Sequence, residues 1–215
     1  MPRTNQTTIV YEKLKERIER GDYSPAVSLP EIELAEEYDV SRNTIKKALL
    51  MLENDDLVTI EQNKGAKVRS YSKTEVLDFL ELRVELEGFI VRRAVPCFTQ
   101  KDIRELESIY KQMKERHEEH DLMGYSALNQ QFHALIYHVC PNKTAMDLLV
   151  RLKNQMRKYN AKTILVPGRG EQSFKEHGEI LEAIKQGDVA AAEACMRDHV
   201  GNVRKIFEEY YSLLF

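Results

Sequence analysis

Three of the six histidines in this 215-residue chain, His133, His177 and His199, sit on apolar stripes at helical spacing. His133 shares its stripe with Ile136 and Cys140, His177 with Ile180, Leu181 and Ile184, and His199 with Ala192, Cys195, Met196 and Val203. A single inward imidazole is ordinarily a hydrogen-bonded core residue. Three that converge repel one another once protonated, and a divalent metal accepting their lone pairs removes that conflict. His117 and His120, among Arg116, Glu118 and Glu119, read as solvated, and His138 lies off the His133 stripe; none of the three is given a role. Arg83 belongs to the stripe Phe79, Arg83, Leu86, Ile90, so a permanent charge points toward apolar surroundings. Two uses remain open for it: a pair with Glu87 one turn later, or bidentate capture of an anionic small molecule.

A second constellation lies near the N-terminus, in VSRNTIKKALLMLENDDLVTIEQNKGAKV. Ser41 suits the N-cap of a helix, with Val40 and Ile45 at the positions of a hydrophobic staple. Arg42, Lys46 and Lys47 follow within two turns, and the helix carries no acid until Glu53. Arg42 can read guanine bidentately, Asn43 and Thr44 can reach base edges or phosphates, and the free N–H groups at a helix start favour a phosphate. Ala48, Leu49 and Leu52 face the other way. A solvated cationic face is the plain alternative.

The elements that must position these groups change character once along the chain. Val10, Leu14 and Ile18 mark a first helix, closed by Gly21 and Pro25; Ile32, Leu34, Ala35 and Tyr38 mark a second, with Ser28 and Glu31 spaced as a capping box before it. A turn at Asp39-Val40 leads into the cationic helix, so the pair reads as a helix-turn-helix. After Leu57 the pattern alternates and reverses at Asn63-Lys64-Gly65, a hairpin whose tip of Gln62, Asn63 and Lys64 suits the DNA backbone or minor groove. From Ser72 onward every long segment reads helical, with breaks near Pro96, Pro141, Val166 to Gly170 and Gly187-Asp188. The expected fold is mainly α: a winged helix-turn-helix over residues 1–71, then an all-helical bundle of about six helices over 72–215.

Composition bounds the function. The chain is 42% hydrophobic and 31% charged with a formal net charge of -3, so nucleic-acid contact must come from a local patch. Cys97, Cys140 and Cys195 are odd in number and widely spaced, which fits three reduced, buried thiols in a cytosol. The first residues have no apolar core of signal-peptide length, and no apolar run approaches the ~20 residues of a membrane span. A cytoplasmic protein without a membrane partner is expected.

The segments YEKLKERIERGDYSP, LPEIELAEEYDVSRNTIKKALLMLENDDLV and NKGAKV resemble the winged helix-turn-helix of the GntR transcription regulators over nearly all of Tyr11 to Val68. Here Pro25-Ala26 stands where the family usually has Pro-Gly, and Lys46-Lys47 where Arg-Glu is common. By motif, Arg42, Thr44 and Lys46 are the implied leading DNA contacts, Lys46 as a point charge suited to phosphate. LDFLELRVELEGFIVRRAV, LNQQFHALIYHVCPN and EHGEILEAIKQGDVAAAEACMRDHV resemble the helical effector domain of the FadR subfamily, known as FCD. That resemblance implies a metal held by one Asp and three His. The matching positions are Asn129, His133, His177 and His199, so a neutral amide replaces the carboxylate, and nitrogen-preferring Zn or Ni is favoured over Mn. Family members often sense small organic acids, which accords with the second of the two open uses of Arg83; a homodimer bearing one recognition helix per chain is expected on a palindromic double-stranded operator.

Three function classes follow: a ligand-responsive transcription regulator, favoured here and expected to be a repressor; an architectural DNA binder with a structural helical domain; and a metalloenzyme using the histidines. No Glu stands at metalloprotease spacing from them, which weighs against the last.

Overall fold

A computed structural model describes residues 6–61, 65–155 and 163–214. The chain divides into two compact units, Met1–Ser72 and Lys73–Phe215.

In the first unit, α1 (Gln6–Arg20), α2 (Glu31–Glu37) and α3 (Arg42–Asn54) accompany strands β1 (Ser28–Leu29), β2 (Val58–Glu61) and β3 (Gly65–Val68). Val10, Leu14 and Ile18 of α1 pack on Leu34, Ile45, Leu49, Leu52, Val58 and Val68 as one apolar core. Removing each such side chain from water contributes roughly 1.5–3 kcal/mol, and this burial holds helices too short to persist alone. Ile32, expected on the buried stripe of α2, is instead 55% exposed. Ser41 caps α3 by accepting from the Thr44 backbone N–H at 3.1 Å, with Ile45 fully buried behind it.

The capping box expected at Ser28 and Glu31 does not form. Pro30 is the N-cap of α2 and makes no side-chain cap bond, so Glu31 is the first helical residue and cannot reach back from the third. Ser28 pairs with Lys67 in the sheet, and Leu29 with Ala66. That two-residue strand has too little pattern to be read from sequence; it pairs with β3, giving the antiparallel order β1-β3-β2. A capping box does occur elsewhere, where Thr99 and Asp102 exchange bonds at the start of the helix Gln100–Glu118. Gln62, Asn63 and Lys64, the expected wing tip, lie outside the described residues.

The second unit holds α4 (Lys73–Ala94), a short 3-10 turn (Val95–Cys97), α5 (Gln100–Glu118), α6 (Leu122–Val139), α7 (Lys143–Gln155), α8 (Arg169–Gln186) and α9 (Val189–Leu214). Pro96 falls in the 3-10 turn, and α8 closes on Gly187 at φ 68, a left-handed cap that glycine adopts without strain. The long helices α4 and α9 pack along each other, α5 lies against α6 and α8, and α8 against α9. Ile90, Leu106, Phe132, Ile136, Leu149, Ile180, Met196 and Val200 form their common core. No helix among the described residues is long and apolar enough to cross a membrane.

Two sequence expectations change here. Cys97 is exposed and Cys195 only half-buried, leaving Cys140 as the buried thiol, because Cys97 ends a surface turn rather than a helix stripe. His117 is half-buried and stacks on Phe174 at 5.4 Å, so it is not simply solvated; its partner comes from α8, which the local run of charges does not reveal.

Candidate functional site

The three stripe histidines meet. His133 comes from α6, His177 from α8 and His199 from α9, with ring centroids 4.5 to 5.1 Å apart, and one ligand atom from each lies within 4.8 Å of the others. All three are buried, with Phe132 edge-on to His177 at 5.0 Å as an apolar wall. Burial, together with the nearby positive groups and one another, pushes His133 and His177 well below the usual histidine range. It lowers His199 as well, against the opposing pull of Glu176. The imidazoles are therefore neutral, the form that ligates a metal.

Each outer nitrogen is committed. His177 Nδ1 donates to the Ser173 carbonyl oxygen at 2.6 Å, which can only accept, so Nδ1 carries the proton. His199 Nδ1 donates to Glu176 Oε2 at 2.7 Å; the same oxygen accepts from Arg169 Nη1 at 2.7 Å, and Glu176 Oε1 accepts from Asn202 Nδ2 at 2.7 Å. His133 Nδ1 lies 3.2 Å from the Tyr137 hydroxyl, whose own proton goes to Glu87 Oε2 at 2.5 Å. Burial alone would raise Glu87, but Arg83, Lys153 and Tyr137 hold it down to about 2. A permanently ionised Glu87 cannot give Tyr137 a proton, so the hydroxyl oxygen must accept from His133 Nδ1, as it does from Lys153 Nζ at 3.2 Å.

What remains inside is a set of electron pairs without protons. His177 Nε2 and His133 Nε2 are 3.1 Å apart, and Asn129 Oδ1 is 2.9 Å from His177 Nε2. Lone pairs facing at such distances repel unless a cation lies between them, and burial makes an imidazolium costly. The donor set thus fits a divalent metal held by His133, His177, His199 and the Asn129 amide oxygen. Such an ion would supply positive charge that attracts an anionic ligand.

In the first unit the cationic helix presents its start outward. Arg42, Asn43, Lys46 and Lys47 are exposed and Thr44 half-buried, its hydroxyl 2.9 Å from that of Ser41. Arg42 is not free of acids: Glu31 of α2 lies 3.2 Å from its Nη2. Counting acids along α3 alone could not show this neighbour, which the tight turn brings in.

Residues 6–68 match the family described as bacterial regulatory proteins, gntR family, and residues 78–202 match the FCD domain. The chain belongs to the GntR family, in its FCD-bearing, FadR-like branch. The repressor RspR of Escherichia coli K12 is 24% identical over 204 residues, covering 93% of this chain and 90% of that protein. The Uxu operon regulator of Haemophilus influenzae is 29% identical over 223 residues, covering 94% and 82%. Among solved structures, E. coli McbR/YncC superposes with a TM-score of 0.73 at 22% identity, covering 96% of this chain and 99% of that one, a likeness of fold. This GntR-family chain is a DNA-binding transcription regulator and not an enzyme.

Within the regulator, Arg83 is engaged by Glu87. Its Nε and Nη2 both donate to Glu87 Oε1, at 2.8 and 2.7 Å, with the two side chains 7% and 0% exposed, so the pairing reading of this residue is the one the geometry shows. Tyr137, Lys153, Glu176, Arg169 and Ser173 escaped the sequence reading. Only Tyr137, four residues after His133, and Glu176 and Ser173, beside and four before His177, carry a signal of spacing that could have drawn attention. An open groove of about 800 Å³ lies elsewhere, on another face of α8 from His177, lined by Tyr110, Phe174, Glu171 and Glu179 among others. Its size does not make it the site, because the convergent unprotonated donors are at the histidines.

Proposed function

We propose that the regulator is a cytoplasmic repressor that acts as a homodimer on a palindromic operator, through Arg42, Asn43, Thr44, Lys46, Lys47 and the 62–64 wing tip. Its grip on DNA is controlled by a small carboxylate-bearing effector in a metal-holding pocket of Asn129, His133, His177 and His199. The observation that carries the control reading is the set of inward Nε2 lone pairs whose outer nitrogens are all fixed by hydrogen bonds. RspR and GlaR, both named as repressors in E. coli K12 and both 24% identical to this chain, support the sign of regulation. Two-fold symmetry in the protein favours a two-fold symmetric site. Arg83 contributes by holding Glu87, and through Tyr137 the orientation of His133, rather than by meeting the effector itself.

The test is operator binding in the presence of Zn or Ni and a short-chain organic acid. Selection from random DNA is expected to return two-fold symmetric sites, metal plus acid to release them, and His177→Ala to bind the site while losing the response. Asymmetric sites would count against the dimer. An unchanged response in His177→Ala would remove the pocket from control.

A further inference from the structure

The start of α2 leaves an apolar side chain bare beside the start of α3. Ile32 is 55% exposed, the most exposed large apolar side chain among the described residues of the first unit. Leu34, two residues on and so across the helix, is the one that α2 buries, which turns Ile32 to the outside. A single exposed apolar group is ordinary on a protein surface. Its place is what gives this one a use. Glu31, the residue before it, brings Oε2 to 3.2 Å from Arg42 Nη2, so the first turns of α2 and α3 lie side by side. Consecutive Cα atoms are only about 3.8 Å apart, which puts Ile32 beside the Arg42–Glu31 contact. Leu50 is the next most exposed, at 45%, but it lies on the third turn of α3, about 12 Å along the axis from Arg42. A recognition helix meets base edges with its N-terminal residues, so Ile32 stands nearer the readout than Leu50 does.

The chemistry of α2 narrows what its first turn can meet. Its sequence, EIELAEE, carries four carboxylates and neither lysine nor arginine. An element of that sign gains nothing from phosphates, whose contacts position a protein without reading sequence. What it can offer a groove is the apolar surface of Ile32. One base edge in the major groove is apolar: the C5-methyl of thymine, which the other three bases lack. Contact between that methyl and a side chain removes both from water. Isoleucine suits such a contact, because branching at Cβ leaves it one preferred χ1 in a helix and little freedom to lose.

We propose that Ile32 is a specificity-determining residue of the DNA surface, packing on the 5-methyl group of a thymine next to the base that Arg42 reads, once in each half-site. The first turn of α2 is then a second reading element, held in register with α3 by the Glu31–Arg42 contact. This rests on the reading above that Arg42 meets base edges in the major groove.

The test is binding of the full-length protein to a site that the parent selects from random DNA, with each thymine replaced in turn by uracil, which pairs alike and lacks only the methyl group. Replacement at one thymine position is expected to weaken binding by the parent about fourfold in one half-site and about fifteenfold in both, the effect of exposing one methyl each time. Ile32→Ala is expected to bind the thymine site more weakly than the parent and to be indifferent to the replacement, and Ile32→Val to keep most of the discrimination. Both should melt with the parent, since the side chain is already half in water. Arg42→Ala is expected to relax preference at the neighbouring base pair. A parent indifferent to uracil at every thymine, while Arg42→Ala relaxes base preference, overturns the role of Ile32 and leaves the reading of α3 standing. A uracil penalty that survives in Ile32→Ala, or that disappears in Leu50→Ala, gives the methyl contact to another residue and overturns the proposal as well. If Arg42→Ala keeps the full base preference of the parent, the placement beside Arg42 falls, and the proposal with it.

Discussion

The two units of the regulator differ in what their apolar cores enclose. In the first, Val10, Leu14, Leu34, Ile45, Leu49 and Leu52 fill an apolar interior, and the groups proposed to face DNA stand outside it on the first turns of α3. In the second, an apolar core also encloses a polar network: His133, His177, His199, Arg83, Glu87, Arg169 and Glu176 are all buried. A surface contact can be changed without touching stability. A buried polar network cannot, because each member satisfies another and the low dielectric enlarges the loss. The difference suits the proposed tasks, since an operator is met at the surface whereas a small acid must be enclosed to be distinguished from water.

The largest effect is expected at Glu87. Replacing it with Ala leaves the buried Arg83 without its bidentate partner, so Glu87→Ala should cost ~3–5 kcal/mol of stability, read as a lower midpoint in urea. If the loss is no larger than that of a typical surface substitution, the buried network is not what holds the helical unit together.

Next comes pH. Burial lowers His133, His177 and His199 below the usual histidine range, so the unfolded chain takes up protons that the folded chain refuses. A depressed folded pKa means the full contribution is present above the unfolded value of ~6.5 and is lost as pH falls from there toward the folded values. Each histidine then removes ~1.4 kcal/mol per pH unit, and three about 4 kcal/mol in metal-free protein. All six histidines lie beyond residue 116, so the winged unit should hold its structure where the helical unit loses it, which per-residue hydrogen exchange across the pH series would reveal. Simultaneous loss in both units would remove this contrast.

At the DNA surface the expected changes leave stability alone. Arg42→Ala should weaken operator binding by ~1–3 kcal/mol and relax base preference, whereas Lys46→Ala should weaken all sequences alike and lower the salt slope by about one. Equal loss of specificity in the two would show the roles to be wrongly assigned. The smallest effect concerns a turn. Ala26 has φ 64, a left-handed conformation that a Cβ makes costly, while its N–H and the Val27 carbonyl both bond to Val68. Ala26→Gly should therefore raise the stability of the winged unit by ~1 kcal/mol, net of the entropy that glycine adds to the unfolded chain. A decrease on thermal melting would show that the turn tolerates alanine.

The capped start of α3, the apolar faces of α1 and α3, the hairpin and the helical character beyond residue 72 were determined by local sequence, because cap chemistry and hydrophobic period act within a few residues. So was the inward direction of the three histidines, which a stripe fixes one helix at a time. That they meet, that Glu176 holds His199 and that the inner nitrogen of His177 faces His133 and Asn129 was decided by packing of α6, α8 and α9, where residues 23 to 48 apart in sequence come within hydrogen-bond distance; Ser173 and Tyr137 reach His177 and His133 along their own helices. Tertiary structure also buried the Arg83–Glu87 pair, since spacing allows the pairing but cannot say how deeply both lie. It placed Glu31 against Arg42 across the helix-turn-helix, stacked His117 on Phe174, and turned Ser28 from a cap into a strand. In each of these the deciding partner came from another element, and the pattern of a single helix or strand holds no record of what will pack against it.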